Sequence, residues 1–184
     1  IESKINDVTQ ITSNDEFFQI FEITGLDSLK YLKTRWGECV DFSENESGEF
    51  IVAISSIFYS DSAGNNLGAV IIYKYDNTTN IWSIMGQTIT GENDGDECGI
   101  SISLNENGNI IAIGESGYSN NDGRVRIFEY DNTTQTWVQK GQDIDGINSS
   151  RFGSCVSLND SGLILAIGAI AAVLGDLGDP SGEC

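Results

Sequence analysis

"YDNTTNIWSIMGQTITG", residues 75–91, and "YDNTTQTWVQKGQDIDG", residues 130–146, agree at ten of seventeen positions and lie 55 residues apart. Trp82 matches Trp137, Gly86 and Gln87 match Gly141 and Gln142, and Ile89 and Gly91 match Ile144 and Gly146. Self-similarity at a fixed period marks a repeat architecture and governs how every other motif is read. Working outward, "CGISISLNENGNIIAIGE" (98–115) aligns with "FGSCVSLNDSGLILAIGA" (152–169). A more diverged third copy, "WGECVDFSENESGEFIVAIS" (36–55), carries two extra residues in its turn. The "ITG" at 23–25 repeats that at 89–91. The expected organisation is therefore the end of an upstream unit at 1–25, a diverged unit with longer loops at 26–91, and a regular unit at 92–146. Residues 147–184 then start a further unit and end in a tail that leaves the pattern after Ala169.

Within a unit, apolar residues alternate or run briefly between turn-forming clusters. Ile100, Ile102 and Leu104 are spaced by two, as in a half-buried strand, and "NIIAIG" reads as a strand buried on both faces. "YSNNDG" predicts a turn, because Asn, Asp and Gly tolerate positive φ. "RVRIFEY" places Val125 and Ile127 on one face and Phe128 and Tyr130 on the other, and "TWVQKGQDI" is a polar fourth strand anchored by Trp137. The repeated pentapeptide is then the corner between third and fourth strands, where Asp-Asn-Thr suits a turn. Four antiparallel strands in about 55 residues is the size of one β-propeller blade, so the expected fold is all-β, a partial propeller of about three blades. A two-sheet sandwich accounts for the strands but not for the period.

Composition agrees. The chain has 21 Gly against 1 Pro, suiting short strands and turns. Nine basic against 28 acidic residues give a formal charge of −19, which repels nucleic acid and anionic headgroups. The chain has no histidine, removing the commonest general base and zinc ligand and every histidine-based triad. Its longest apolar run, "LILAIGAIAAVL" at 163–174, is shorter than the roughly 20 residues a membrane-spanning helix needs. A start at Ile1, with no leader pattern, suggests a processed product or an excerpt of a longer protein.

The order F-G-x-x-V-S-L-N-x-x-G-x-x-x-A-I-G-A at 152–169, with G-x-V-x-I-F-E-Y at 123–130 and W-x-x-x-G at 137–141, resembles the FG-GAP-like repeats. Those repeats form the propeller heads of integrin α subunits and blades of many secreted or surface proteins. The resemblance spans about residues 20–169 and implies a fold more strongly than a function. It also implies where a calcium loop would sit, in the turn before the "AIG" strand. Here that turn carries Ser103 and Ile111 in the copy at 98–115, where carboxylates would be needed. The copy at 152–169 keeps only Asp160, and the copy at 36–55 has Asp41, Glu44, Glu46 and Glu49 at altered spacing. Hydrated turns are the favoured reading. The better cation candidate is the connection "GENDGDECG" (91–99), with Asp94, Asp96 and Glu97 around Gly95. No cofactor is expected, with calcium at this loop as the alternative.

Trp36, Cys98 and Phe152 share one repeat position before a common glycine, and Trp82 and Trp137 share another, which favours packing over sugar binding. The cysteines are Cys39, Cys98, Cys155 and Cys184, without a C-x-x-C pair; disulfides among them would fit an oxidising compartment, with three pairings open. Asn-x-Ser/Thr sequons begin at Asn45, Asn77, Asn132, Asn148 and Asn159, of which Asn77 and Asn132 lie in the repeated corner and are favoured for glycosylation.

Repetition without a singular constellation argues for a non-catalytic, extracellular or surface-exposed module that takes protein partners or self-assembles, as in a surface layer, appendage, filament or virion coat. The alternative is an adhesion module binding a glycan or protein, with or without calcium, through loops at 61–68, 92–97 and 118–122 on one rim. A paired-carboxylate hydrolase is the third reading. Neither nucleic acid nor direct membrane insertion is expected.

Overall fold

The computed structural model describes residues 36–45 and 47–171. The upstream unit expected at 1–25, together with Glu46 and Cys184, lies outside the described residues.

The described chain is all-β, built from antiparallel sheets. A first sheet joins β1 (Val40–Glu44), β2 (Phe50–Ser56), β3 (Ala69–Asp76) and β4 (Ile81–Ile84) as a meander, and the short β5 (Ile89–Thr90) also pairs with β3. The second sheet repeats this with β6 (Cys98–Leu104), β7 (Ile110–Glu115), β8 (Arg124–Asp131), β9 (Thr136–Gln139) and β10 (Ile144–Asp145). A third consists of β11 (Phe152–Leu158) and β12 (Leu165–Ala169).

Strand register carries the sequence period into space. Tyr73 faces Ile84 as Phe128 faces Gln139, and Val70 faces Ile89 as Val125 faces Ile144. The fourth strand expected over "TWVQKGQDI" is therefore two pieces along one edge, β9 and β10, interrupted around Gly141 as β4 and β5 are around Gly86. Register also relocates the extra residues. Val40 pairs with Ile54 and Ile102 with Ile113, separations of 14 and 11, so the diverged hairpin carries three extra residues rather than two; since Asn45 closes on Glu49 and Asn105 on Ile110, they lengthen the paired strands and not the turn.

Turns follow side-chain chemistry. Asp76 Oδ1 accepts the N–H groups of Thr78 and Thr79, Oδ2 accepts the Thr79 hydroxyl, and Asn80, at φ 57°, closes the loop onto the Asp76 carbonyl at 2.8 Å. In the second copy Asp131 Oδ1 accepts the Thr133 N–H at 2.7 Å and Gln135, at φ 56°, closes the loop onto the Asp131 carbonyl at 2.8 Å, while the Thr134 hydroxyl pairs with that of Thr136. These bonds to the ionised form hold both Asp carboxyls below their ordinary range, the Thr79 hydroxyl leading for Asp76 and the Thr133 N–H for Asp131. Between first and second strands, one asparagine per copy organises the corner. Asn45 Oδ1 accepts two N–H groups, as do Asn105 Oδ1 and Asn159 Oδ1. The "YSNNDG" turn forms with Ser119, Asn120 and Asn121 all left-handed, at φ 51°, 59° and 71°.

Successive sheets meet through equivalent contacts. Gly68 bridges Cys98 as Gly123 bridges Phe152. Asp41 Oδ2 accepts the Leu104 N–H at 2.6 Å, and Ser103 Oγ accepts the Leu158 N–H at 3.0 Å. Trp137 of the second sheet lies against Gly86 of the first, donating Nε1–H to the Met85 carbonyl at 2.7 Å, while the Gln87 amide exchanges bonds with its backbone at 2.7 and 2.9 Å. A Cβ at Gly86 would stand 2.7 Å from Trp137 Cδ1. The main core fills this junction with Ile51, Ala53, Val70, Ile72, Ile102, Leu104, Ile111, Ile113, Phe128 and Trp137. Each large apolar side chain there contributes about 1.5–3 kcal/mol of burial. A smaller cluster of Ala112, Val125 and Val156 joins the second and third sheets. Trp82 and Trp137 are both buried, in keeping with packing roles.

Candidate functional site

Loops that leave the sheets at one end lie side by side. Asp94 Oδ1 accepts the Asn66 N–H at 2.7 Å, and Gly95 N–H donates to the Asn66 carbonyl at 2.8 Å. Gly117 N–H bonds the Asp96 carbonyl, and Arg151 N–H bonds the Asn121 carbonyl at 2.7 Å. The three loops expected to share a rim therefore do so, with 147–151 as a fourth member.

Beneath this rim is a buried ionic cluster that the sequence reading did not find. Glu115 ends β7 and is fully buried; Arg124 and Arg126 lie beside it on β8, 1% and 4% exposed. Arg124 Nε donates to Glu115 Oε2 at 2.5 Å, and Arg126 Nε to Glu115 Oε1 at 2.8 Å. Arg124 also reaches Glu92 and Asp143, each at 3.0 Å, and Asp96 at 3.5 Å, and its guanidinium sits 4.1 Å from the Tyr118 ring centroid. Arg126 donates to the Thr90 carbonyl at 2.7 Å and approaches Cys98 Sγ at 3.8 Å.

Burial pushes the Glu115 carboxyl up, and the two guanidiniums offset part of that push. For each arginine burial disfavours the charged form, but the neighbouring groups, Glu115 foremost and Glu92 beside Arg124, together outweigh it and hold the guanidinium protonated. Both Glu115 oxygens accept from guanidiniums and the carboxylate is fully buried, so the arrangement acts as a fixed ionic tie between β7, β8 and the 92–97 loop.

The three cation candidates do not converge. Asp96, 2% exposed, turns inward, where its Oδ2 accepts the N–H groups of Glu92 and Asn93, both at 2.9 Å. Glu97 accepts from Ser116 Oγ at 2.6 Å and pairs with Arg151 at 2.9 Å, while Asp94 binds the neighbouring loop. Each carboxylate is committed to a different partner; Gly95, at φ 83°, turns the chain between them.

Cys39, Cys98 and Cys155 are free thiols, so no disulfide forms among these three; Cys98 is buried and Cys155 exposed. Among the sequons, Asn77 and Asn132 are exposed at the tips of their corners, although Asn77 Nδ2 donates to the Gly48 carbonyl at 2.8 Å. Asn148 is exposed and left-handed, at φ 58°. Asn45 Nδ2 is bound to Glu49 and Asn159 Nδ2 to Ser161, each at 2.9 Å, as part of the repeated corner; their sequons coincide with turn chemistry.

A signal for the ionic cluster did exist. By register, Arg124, Arg126 and Glu115 stand where the first repeat has Ala69, Ile71 and Ser56. One copy thus places three charges where its neighbour is small or apolar, and the expectation of repetition without a singular constellation is corrected at this point.

Against the models of known protein families the chain has no match, and it has none among curated proteins.

Proposed function

We propose that the chain is a non-catalytic extracellular structural or interaction module: a stack of FG-GAP-like, propeller-type blades that presents surfaces for assembly with protein partners or further copies. The observation that carries this reading is the regular inter-sheet contact set, in which Gly68–Cys98 and Gly123–Phe152, and Asp41–Leu104 and Ser103–Leu158, recur in equivalent places. Such stacking is how repeat units that cannot bury both faces alone become stable. The singular ionic cluster is consistent with it, because every charged group there is consumed by another protein group.

A second reading, adhesion through the rim, has its own support in the shared edge of the four loops. Sedimentation of the purified chain at about 1–100 µM, together with glycan-array binding in calcium and in chelator, separates the two. Assembly without glycan binding supports the scaffold. Selective glycan binding by a monomer overturns it in favour of adhesion, and turnover of a glycoside substrate would overturn both.

A further inference from the structure

The two connections that carry the chain from one sheet to the next are built differently. In 92–97 the left-handed turn falls on Gly95, at φ 83°, and on Glu97, at φ 58°. That connection is pinned from both sides. Asn66, between β2 and β3, holds Asp94 and Gly95, while buried Arg124 of β8 holds Glu92 and Asp96. The connection 147–151 is one residue shorter and contains no glycine. Asn148, Ser149 and Arg151 nevertheless all take left-handed φ, at 58°, 52° and 52°.

Asparagine tolerates that conformation, but at Ser149 and Arg151 it disfavours the turn by about five- to thirtyfold each. What holds the turn closed lies near the surface. Exposed Ser149 donates its N–H to Asp122 Oδ1 at 2.7 Å, and the Ser150 N–H closes on the Ile147 carbonyl at 3.2 Å, leaving Ile147 itself 70% exposed. The ion pair of Arg151 with Glu97, its side chains 36% and 31% exposed, is correspondingly weak.

This connection delivers a hairpin whose docking does not depend on it. β11 and β12 pair with each other and meet the second sheet through the Gly123–Phe152 bridge, the Ser101 hydroxyl bonding the Gly153 carbonyl at 2.7 Å, and the Leu158 N–H bonding Ser103 Oγ at 3.0 Å. Val156 packs there against Ala112 and Val125. The same contacts form whether the hairpin comes from the same chain or from a second copy. Exchanging it therefore loses no interface, while straightening 147–151 releases the strain, and a short strained connection is the kind of hinge that favours exchange. The 92–97 connection has no such release, because straightening it would strip Arg124 of Glu92 and Asp96.

We infer that the β11–β12 hairpin is exchanged between two copies of this chain, each docking its hairpin on the second sheet of the other, with 147–151 as the hinge. This rests on the scaffold reading above and names its partner. Heavy- and light-isotope copies of the whole chain, unfolded together in urea and refolded at about 100 µM, should give mixed dimers by native mass spectrometry. Hydrogen exchange at the Ser149 and Ser150 amides should be faster in the dimer than in the monomer, because the turn that protects them is opened; contact between intact surfaces would leave it unchanged or slow it. Ser149→Gly fits φ 52° without strain and acts at both hinges, so it should weaken the dimer at least about tenfold. Ser119→Gly relieves the same conformation, at φ 51°, in a turn that monomer and dimer share, and should leave the dimer unchanged. A chain that stays monomeric overturns the inference and with it the self-assembling form of the scaffold reading. Dimers that Ser149→Gly does not weaken, or in which the Ser149 amide stays protected, overturn the inference but leave the scaffold reading standing.

Discussion

Replacing Glu115 by the serine that its counterpart carries would test whether the buried charges act as one unit. In Glu115→Ser, Arg124 and Arg126 lose bonds of 2.5 and 2.8 Å and remain buried. Breaking a buried ion pair from one side costs about 3–5 kcal/mol, because the desolvated partner is left uncompensated. At this chain length each kcal/mol corresponds to about 2–4 °C, so melting should fall by roughly 6–20 °C. The triple variant Glu115→Ser, Arg124→Ala, Arg126→Ile copies Ser56, Ala69 and Ile71 of the first repeat and leaves no stranded cation. Asp96 would keep its two backbone N–H donors, and Glu92, 57% exposed at its side chain, would keep water. Despite three changes instead of one, the triple variant should be more stable than Glu115→Ser alone by about 1–3 kcal/mol. Urea unfolding followed by the fluorescence of buried Trp82 and Trp137 reads both variants. If the costs of the three single changes simply add in the triple, the charges are not coupled and the account of the cluster as one ionic tie is wrong.

Other consequences are independent of the cluster. Gly86→Ala, at φ 79° with its new Cβ 2.7 Å from Trp137, should destabilise by about 1–3 kcal/mol, and Gly141→Ala, at φ 83° but in open space, by the smaller backbone cost alone; chemical denaturation compares them. Burial, then the Glu115 charge, push the Cys98 thiol well above 9.0, a raised folded value, so stability should be full below that pH and fall as pH rises beyond it. Cys98→Ala should flatten that alkaline limb, and in the native protein a thiol reagent should modify Cys155 but not Cys98. Asp61, Asp76, Asp131 and Glu49 have lowered folded values, so their contribution should be present above the ordinary 3.8 and 4.5 and lost as pH falls through the lower values; Glu115, raised, works in the opposite sense, and acid melts of Asp76→Asn and Glu115→Gln should separate the two. In a glycosylating host, sugar mass should be found at Asn77 and Asn132 and be absent from Asn45 and Asn159, whose side chains are bonded at both amide oxygen and amide nitrogen within their own turns.

Local chemistry was legible because it acts over short distances. The doubly buried "NIIAIG" strand and the Asp-Asn-Thr corner were set by residues within a few positions of one another, whereas the strand read as half-buried from Ile100, Ile102 and Leu104 is covered on both faces: Ser101 and Ser103 are buried too, and Ile100 only partly so. The rim loops were also anticipated, since equivalent connections of stacked repeats must emerge on the same edge. The split of the fourth strand at Gly86 and Gly141 escaped, because the outer strand's polar pattern resembles that of a loop.

Arg124 and Arg126 show where such reading stops. In "RVRIFEY" they alternate with Val125 and Ile127, yet both faces of that part of the strand are covered and the arginines are buried. Their partners come from residues 92, 96, 115 and 143, brought together only by the stacking of one sheet on the next. For the same reason Asp96 became a support for its own loop. The sequence by itself determined the repeat, its strands and its corners, through backbone preference and hydrophobic periodicity. Only the tertiary structure decided which charges are buried and which thiols are free, because desolvation and ion pairing depend on what other segments bring to the same place.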